Sequence, residues 1–341
     1  MNEQKITVVI PCRNEVAHIA ACVESIFACE LPENFVMNVF VVDGKSNDGT
    51  VEEVERLQQA YPSLQLVENT KQLTPFAFNL GIYAGGKADY VQIVGARHIL
   101  SSNYLIRSVE AMQNDPGIWC VGGKVENVFL NETGRIISVA MSSAFGMGLG
   151  NFRTLSESGY TDTVGTPMYR YEVFEKIGFF DELLIRNQDD DFNFRVTQAG
   201  GKIWFCKDIT IRYYVRGNIR NLWRQFYQYG YWKVFVNRKH GAVTTMRQLV
   251  PPAFVLFLIS IPLWFLVHCI PGLIAAGMFL LYCLLGMAVA FRIAEKKSEV
   301  FAVWFVFPVL HISYGLGYLK GILDFLVLRK QPSEHAGRLS R

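Results

Sequence analysis

The sequence predicts an α/β domain with a parallel sheet covered by helices on both faces, followed by a helical membrane region. Up to residue 95, short β-branched apolar runs alternate with amphipathic helical patterns, which is the arrangement of a parallel sheet. After residue 245 the composition becomes dominated by apolar residues, and two stretches of about 20 residues carry no charge.

The first ninety-odd residues give four predicted strands, at 6–10, 39–42, 64–67 and 90–94, with helical patterns at 19–27, 51–57 and 75–84 between them. Ligands bind at the carboxyl ends of strands in such sheets. Glu15, Asp43 and the turn at 95–98 follow three of these strands, so we expect one shared site there.

The stretch from Trp119 to Arg170 is less regular and rich in glycine. It predicts strands and a mobile loop over the site. Neither Walker nor dinucleotide-binding spacing occurs among these glycines, so they do not indicate a phosphate loop. A short helix is expected at 172–178, and two further strands at 203–205 and 209–214.

Three consecutive carboxylates, Asp189 to Asp191, lie at the start of a predicted helix that Gly200-Gly201 ends. Acidic residues in a first turn can simply complement the helix dipole. Alternatively, one of them is a general base held at a helix start. The residues of this stretch do not decide between the two.

Composition restricts the class of partner and the compartment. The net charge of +3 is too small to indicate nucleic acid. Seven scattered cysteines show no metal-ligand spacing, which favours reduced thiols and a cytosolic globular part. Between Ile209 and Ala294 there is no Asp or Glu, whereas several Arg and Lys precede the apolar region, as expected for contact with an anionic membrane surface.

The C-terminal third is expected to associate with a membrane. Residues 216–245 interleave arginines with aromatic residues, as in interfacial helices, although a core helix with a solvated arginine face is the alternative. Within the membrane region 246–328, residues 250–269 and 272–291 are predicted spans. The positive-inside rule places the charged loop at 292–297 and the basic tail 329–341 in the cytosol, so residues 300–328 are predicted to be re-entrant or interfacial, broken near Gly315, Gly317 and Gly321.

Several motifs occur in the same order as in family 2 glycosyltransferases. Together they most resemble the membrane enzymes of the succinoglycan-biosynthesis type. They are Pro11-x-x-Asn14-Glu15, Asp43-Gly44 with Asp48-Gly49-Thr50, Asn79-x-Gly81, Gly122-Gly123, Asn187-x-Asp189 with Arg195, Arg224-Gln225 and Tyr314-Gly315-x-Gly317. The similarity spans the whole chain.

The resemblance implies a GT-A fold, which is a nucleotide-sugar-binding domain with a Rossmann-like mixed sheet, over residues 1–215. It implies inverting transfer with Asp189 as the catalytic base. Expected nucleotide-sugar-binding residues are Pro11, Asn14, Glu15, Asp43, Asn79 and Arg97. Residues expected to bind the acceptor or line the site are Gln188, Asp191, Arg224 and Gln225.

Three departures from the family fall near the expected donor phosphates. The family's Asp-x-Asp or Asp-Ala-His metal motif is Gly95-Ala96-Arg97 here, its Asn-Glu-Asp is Asn187-Gln188-Asp189, and its His-His-Gly is Gly165-Thr166-Pro167. Mg²⁺ or Mn²⁺ is usual in the family, but glycine and arginine offer no carboxylate, so no metal ligand is predicted and the cofactor stays undetermined. Arg97 either replaces part of the metal's role on the diphosphate or is an ordinary surface arginine.

The resemblance favours a glycosyltransferase that moves a sugar from a nucleotide donor, a UDP-sugar by preference, to a lipid-linked or polysaccharide acceptor. It would lie at the cytoplasmic membrane with its catalytic domain in the cytosol. One alternative is a catalytically silent scaffold of a polysaccharide assembly complex. Another is a polyprenyl-phosphate sugar synthase, whose phosphate acceptor would depend less on Asp189.

Overall fold

The computed structural model describes residues 3–129, 131–148, 155–214 and 217–332. The chain divides into two compact units, one formed by Met1–Asn127 with Leu155–Tyr214 and the other by Val128–Thr154 with Val215–Arg341. The second unit therefore includes a stretch that the sequence pattern assigns to the first domain.

Within the described residues a nine-stranded sheet forms the first unit. The strands are β1 Gln4–Cys12, β2 Phe35–Asp43, β3 Leu64–Glu68, β4 Tyr90–Ile93, β5 His98–Leu100, β6 Ile118–Val128, β7 Gly159–Thr161, β8 Gly165–Arg170 and β9 Lys202–Tyr214. The helices of the chain are α1 Val16–Phe27, α2 Thr50–Ala60, α3 Thr74–Gly85, α4 Tyr104–Asn114, α5 Glu132–Met141, α6 Ala144–Met147, α7 Tyr171–Ile177, α8 Gln188–Gln198, α9 Ile219–His240, α10 Val250–Val267, α11 Cys269–Ile293 and α12 Val300–Gly321.

The predicted α/β class is confirmed, and the sheet is mixed. Its order is β3-β2-β1-β4-β8-β6-β9-β5, with β7 paired to β9. The four strands predicted from the first part of the chain are parallel, whereas β8 pairs antiparallel with both β4 and β6. Because β8 runs against β4, its first residues lie beside the carboxyl end of β4.

Two glycines of α3 allow this helix to approach the central strand β1. A Cβ on Gly81 would overlap the Val9 side chain, and one on Gly85 would overlap Thr7. Both glycines are buried, and Gly81 belongs to the Asn79-x-Gly81 motif. Their role in this chain is therefore close packing between α3 and β1.

The irregular region from Trp119 to Arg170 differs from its prediction. Besides strands β6 to β8 it contains two helices, α5 and α6, which pack against α12 in the second unit. The predicted mobile loop is thus partly helical, and residues 149–154 lie outside the described residues. The strands predicted separately at 203–205 and 209–214 form the single strand β9.

An ionic cluster holds α5 in the second unit. The Arg135 guanidinium donates to Glu132 one turn away, to Glu295 at 2.6 Å, and to Glu299 ahead of α12. Glu132, and then Glu299, raise the pKa of Arg135 above its usual value, so it stays charged. The cluster ties the stretch after β6 to the connection between α11 and α12.

Three helical segments among the described residues are long and apolar enough to cross a membrane: Met246–Val267, Cys269–Ile293 and Lys297–Val327. The first two leave most of their apolar surface uncovered, with 11% and 17% of their apolar windows buried, against 44% for the third. The chain is therefore membrane-associated, and α12 is the segment that packs most against protein.

The predicted break of the third segment at Gly315 and Gly317 is wrong. Residues Val300–Gly321 form one continuous helix, which changes to π-helical turns over Ile322–Val327. A Cβ on Gly317 would overlap the backbone of Tyr227 on α9, and one on Gly315 would meet Pro251. These glycines permit close helix packing, as small residues do between membrane helices.

The end of this segment is polar. Asp324 is buried and accepts from Lys320 at 3.1 Å, Lys330 at 2.9 Å and the Tyr231 hydroxyl of α9 at 3.1 Å. Arg238 of α9 donates to the backbone oxygen of Phe325. Such a cluster suits an interface better than the hydrocarbon centre of a bilayer.

We therefore keep the prediction that α12 does not cross the membrane. A reporter fused after Lys297 and a second one fused after Lys330 should both lie on the cytosolic side, because the polar end of α12 is packed on α9. Paired fusions to a cytosolic and a periplasmic reporter enzyme measure this. A periplasmic position for the second fusion alone would show that α12 spans.

Candidate active site

The loops after β1 and β2 are locked together by side chains. Asp43 accepts from the backbone amide of Ser46 at 2.9 Å and from its hydroxyl at 2.5 Å. The Ser46 hydroxyl oxygen accepts from the amide of Asn14, whose side chain accepts from the amide of Asn47 at 2.9 Å. Asn14 has a positive φ of 54°, a conformation that asparagine tolerates. The sequence prediction that these strand ends meet is confirmed.

Glu15 and Arg97 form an ion pair across the carboxyl ends of β1 and β4. Arg97 Nε lies 2.7 Å and 2.9 Å from the two oxygens of Glu15. The Arg97 side chain is 33% exposed and that of Glu15 is 18% exposed, so the pair lies at the rim of the unit rather than in its core. Burial, and then the charge of Arg97, lower the pKa of nearby His18 below its usual value.

The turn after β4 is organised by His98. The Gly95 amide donates to His98 Nδ1 at 3.2 Å, and the Thr166 hydroxyl lies 2.8 Å from the same nitrogen. An amide can only donate, so Nδ1 is an acceptor and the ring proton lies on Nε2. Thr166 is buried with a φ of 49°, which is strained for a β-branched residue. The sequence analysis did not predict this contact between His98 and Thr166. The one feature of the sequence that pointed to it is Gly165-Thr166-Pro167 in place of the family's His-His-Gly.

Helix α8 presents the three predicted carboxylates in different surroundings. Asp189 is exposed, Asp190 is half-buried, and Asp191 is fully buried, with Arg195 Nε at 3.1 Å. Asn187, ahead of the helix, is buried and has a φ of 60°. Of the three carboxylates in this first turn, Asp189 is therefore the one that solvent reaches most freely.

Asn193 on the same helix anchors it to the sheet. Its side chain accepts from the Tyr169 hydroxyl of β8 at 2.8 Å and donates to Thr163 at 3.0 Å. Burial raises the pKa of Tyr169 well above its usual value, so its hydroxyl stays protonated and donates to Asn193. The exposed carboxylate thus lies on a helix that is held from its buried face.

The remaining predicted site residues are Asn79, Pro11, Gln188, Arg224 and Gln225. Asn79 is buried and bonds the Phe180 backbone in both directions, and it donates to Glu182 at 3.0 Å. Pro11 is half-buried in β1, and the buried Oε1 atom of Gln188 has no partner among the described residues. Arg224 and Gln225 lie in the second unit on α9, where Gln225 donates to Tyr229.

The residues at the end of β4 do not suit a divalent cation. Gly95 has no side chain, Glu15 is paired with Arg97, and the His98 Nδ1 lone pair accepts from Gly95. Across the part of the chain that the structure describes, no cluster of three His, Cys, Asp or Glu side chains could hold a metal ion. Mg²⁺ and Mn²⁺ favour several oxygen ligands, which this edge does not gather.

Residues 3–245 match the glycosyltransferase like family 2. The chain belongs to this family. Succinoglycan biosynthesis protein ExoA of Rhizobium meliloti is 27% identical over 323 residues, which cover 93% of this chain and 95% of that protein. A Methanococcus voltae protein, dolichyl N-acetyl-alpha-D-glucosaminyl phosphate 3-beta-D-2,3-diacetamido-2,3-dideoxy-beta-D-glucuronosyltransferase, is 26% identical over 330 residues, covering 93% of this chain and 97% of that protein.

Among solved structures, the mannosyltransferase PcManGT from Pyrobaculum calidifontis, in complex with GDP-Man and Mn²⁺, aligns with a TM-score of 0.62. The alignment covers 95% of this chain and 88% of that protein at 17% identity, so it shows the fold alone. The family 2 glycosyltransferase assignment and the GT-A fold predicted from the motifs are confirmed.

Proposed function

We propose that this family 2 glycosyltransferase transfers a sugar, with inversion, from a nucleotide diphosphate donor to a lipid-linked or polysaccharide acceptor. Its catalytic unit would work at the cytosolic face of the cytoplasmic membrane, in the synthesis of an exopolysaccharide or another surface glycan. The observation that carries the proposal is the single exposed carboxylate, Asp189, at the start of a helix held by buried polar contacts.

The arrangement at α8 supports a base at Asp189. A general base needs a fixed position and access to the acceptor hydroxyl. Asn193 joins α8 to Tyr169 of β8, Arg195 joins it to the backbone after α7, and Asp189 is exposed on it. In the proposed step the acceptor oxygen bonds to the anomeric carbon while its proton passes to Asp189. The bond from that carbon to the diphosphate breaks, and the nucleoside diphosphate leaves with the electron pair.

The loops after β1 and β2 support a donor site. Asp43 is buried and held by Ser46, yet a carboxylate has about four acceptor positions, so it can also accept from a uracil N–H or a ribose hydroxyl. We propose a UDP-sugar as the donor. Asn14 would form the neighbouring wall, because its backbone conformation is fixed by Ser46 and Asn47.

The relatives support the acceptor class. One takes part in succinoglycan biosynthesis, and the other transfers a sugar to a dolichyl-phosphate-linked sugar, according to their names. Both align over 93% of this chain, so the alignments extend into its apolar helices. The comparisons give no support to the silent-scaffold alternative.

Binding of the donor can be tested by thermal shift of the detergent-solubilised chain with a panel of UDP-, GDP- and dTDP-sugars. We expect one nucleotide class to raise the Tm, because a ligand at about 100 times its Kd adds about 2.7 kcal/mol of stability. Asp43→Ala should abolish the shift, whereas Asp162→Ala, at an exposed position of the same unit, should not. A panel without any stabilising nucleotide sugar would contradict the proposal.

A further inference from the structure

We propose that Arg97, oriented by Glu15, binds the donor diphosphate in place of a divalent cation, so that this enzyme transfers sugar without a metal. The inference rests on the proposed function, because it assumes a nucleotide diphosphate donor. It departs from the usual chemistry of the family, and three observations at the carboxyl ends of β1 and β4 carry it.

The first observation is that the space of the missing carboxylate is filled. An ideal Cβ on Gly95 would lie 3.0 Å from His98 Cε1 and 3.1 Å from its Nδ1. The imidazole therefore covers the face of Gly95 from which an aspartate would project. Thr166 and the Gly95 amide hold the ring there. A metal-binding side chain at this position would require the ring to move.

The second observation concerns the atoms of Arg97 that are in use. Only Nε bonds to Glu15, and the terminal nitrogens Nη1 and Nη2 have no hydrogen-bond partner among the described residues. These two nitrogens carry four N–H donors in one plane, which is the fork that binds phosphate oxygens in pairs. The side chain is 33% exposed, so a ligand can reach it.

The third observation is the position of Glu15. Its carboxylate, which the resemblance assigns to the nucleoside, accepts instead from Arg97 Nε with both oxygens. Glu15 also stands at the start of α1, where its amide donates to Thr50 at 2.9 Å. The pair is thus fixed between two loops of the donor site. Glu15 is a positioning residue that orients the guanidinium. Because the Arg97 side chain is already held, less conformational freedom is lost when the diphosphate binds.

A preorganised arginine can supply the positive charge that the leaving diphosphate needs. Negative charge grows on the diphosphate as the glycosidic bond breaks, and a preorganised cation stabilises the transition state more than the ground state. Guanidinium stays protonated at any physiological pH, so its charge needs no metal. Arg97 follows β4 and its side chain is 33% exposed, so it can supply this charge to a diphosphate bound there.

The test measures sugar transfer by the full-length enzyme in EDTA and in Mn²⁺, together with calorimetric binding of UDP and uridine. We expect transfer to survive EDTA. Arg97→Ala should lower turnover by about 10²-fold or more, the scale for removing one preorganised donor. The same variant should weaken the binding of UDP but leave the binding of uridine nearly unchanged. Arg107→Ala, a surface arginine paired with Glu110 on α4, is the matched control and should change neither.

A second variant separates positioning from charge. Glu15→Gln keeps an acceptor for Nε but removes the ion pair, so it should show an intermediate loss of UDP affinity. Arg97→Lys keeps the charge but not the guanidinium fork, so its UDP affinity should stay below that of the wild type. Transfer that EDTA abolishes and Mn²⁺ restores would overturn the inference while leaving the proposed function intact. Absence of UDP, GDP and dTDP binding to the wild-type chain would instead contradict the proposed function itself.

Discussion

Replacing Asp189 by Asn is expected to lower turnover by about 10²- to 10⁴-fold, the usual scale of general base catalysis. Asparagine has nearly the same shape and cannot take the acceptor proton. Asp189 is exposed and helix α8 is held by Asn193 and Arg195, so the substitution should leave the fold intact. Binding of the nucleotide sugar should change little. Steady-state transfer rates and calorimetric donor binding provide the two measurements.

Asp190→Asn is the matched control for this variant. Asp190 follows directly in the same helical turn and is half-buried, and the helix-dipole contribution of one carboxylate is about 0.3–1 kcal/mol. Its turnover should therefore stay within about fivefold of wild type. Near-normal turnover in the Asn variant of Asp189 would remove that residue from the mechanism. It would also favour a phosphate acceptor, which needs less help from a base.

Replacing Arg195 by Met is expected to destabilise the catalytic unit by about 3 kcal/mol, at the lower end of the cost of breaking a buried ion pair. The variant removes the cation whose Nε lies 3.1 Å from the fully buried Asp191 carboxylate. It also removes donors to the backbone oxygens of Ile177 and Phe179, each at 2.7 Å, which close the turn after α7. Methionine retains much of the apolar volume, so the loss is mainly electrostatic.

The stability of this variant is measured by thermal unfolding in detergent. At about 2–4 °C per kcal/mol for a unit of this size, the apparent Tm should fall by about 6–12 °C. Gln198→Ala, at the exposed end of the same helix, should stay near wild type. A Tm of the Arg195 variant that matches this control would show that Asp191 does not depend on the pair. Turnover measured below the transition separates stability from catalysis.

The pattern of the N-terminal part could be predicted because its signals are local. The β-branched runs at β1, β2, β3 and β4 alternate with helical stripes, and this period alone determines the α/β class. The parallel pairing then brings Asn14, Asp43 and Gly95 to one edge without further information. The apolar helices are equally local, since length and lack of charge define them.

The antiparallel half of the sheet and the helices α5 and α6 could not be predicted in this way. The stretch after β6 has no clear period, and α5 is held by Glu295 and Glu299, more than 150 residues along the chain. The glycines of α12 show the same limit. In the sequence they indicate a break, but close contact with α9 and α10 keeps Gly315 and Gly317 within a continuous helix.

The sequence by itself determined the fold class, the family, and the set of carboxylates from which a base must come. The family resemblance points to Asp189 as the base, and only the tertiary structure shows how differently the neighbouring carboxylates are placed. Asp189 and Asp191 are identical in local sequence terms, yet the rotation of an α-helix turns one outward and the other into the core beside Arg195. Glu15 and Arg97 are separated by 82 residues, and they meet because β1 and β4 are neighbouring parallel strands. Charge pairs formed across a sheet leave no periodic trace in the chain, which is why the partner of Arg97 required the structure.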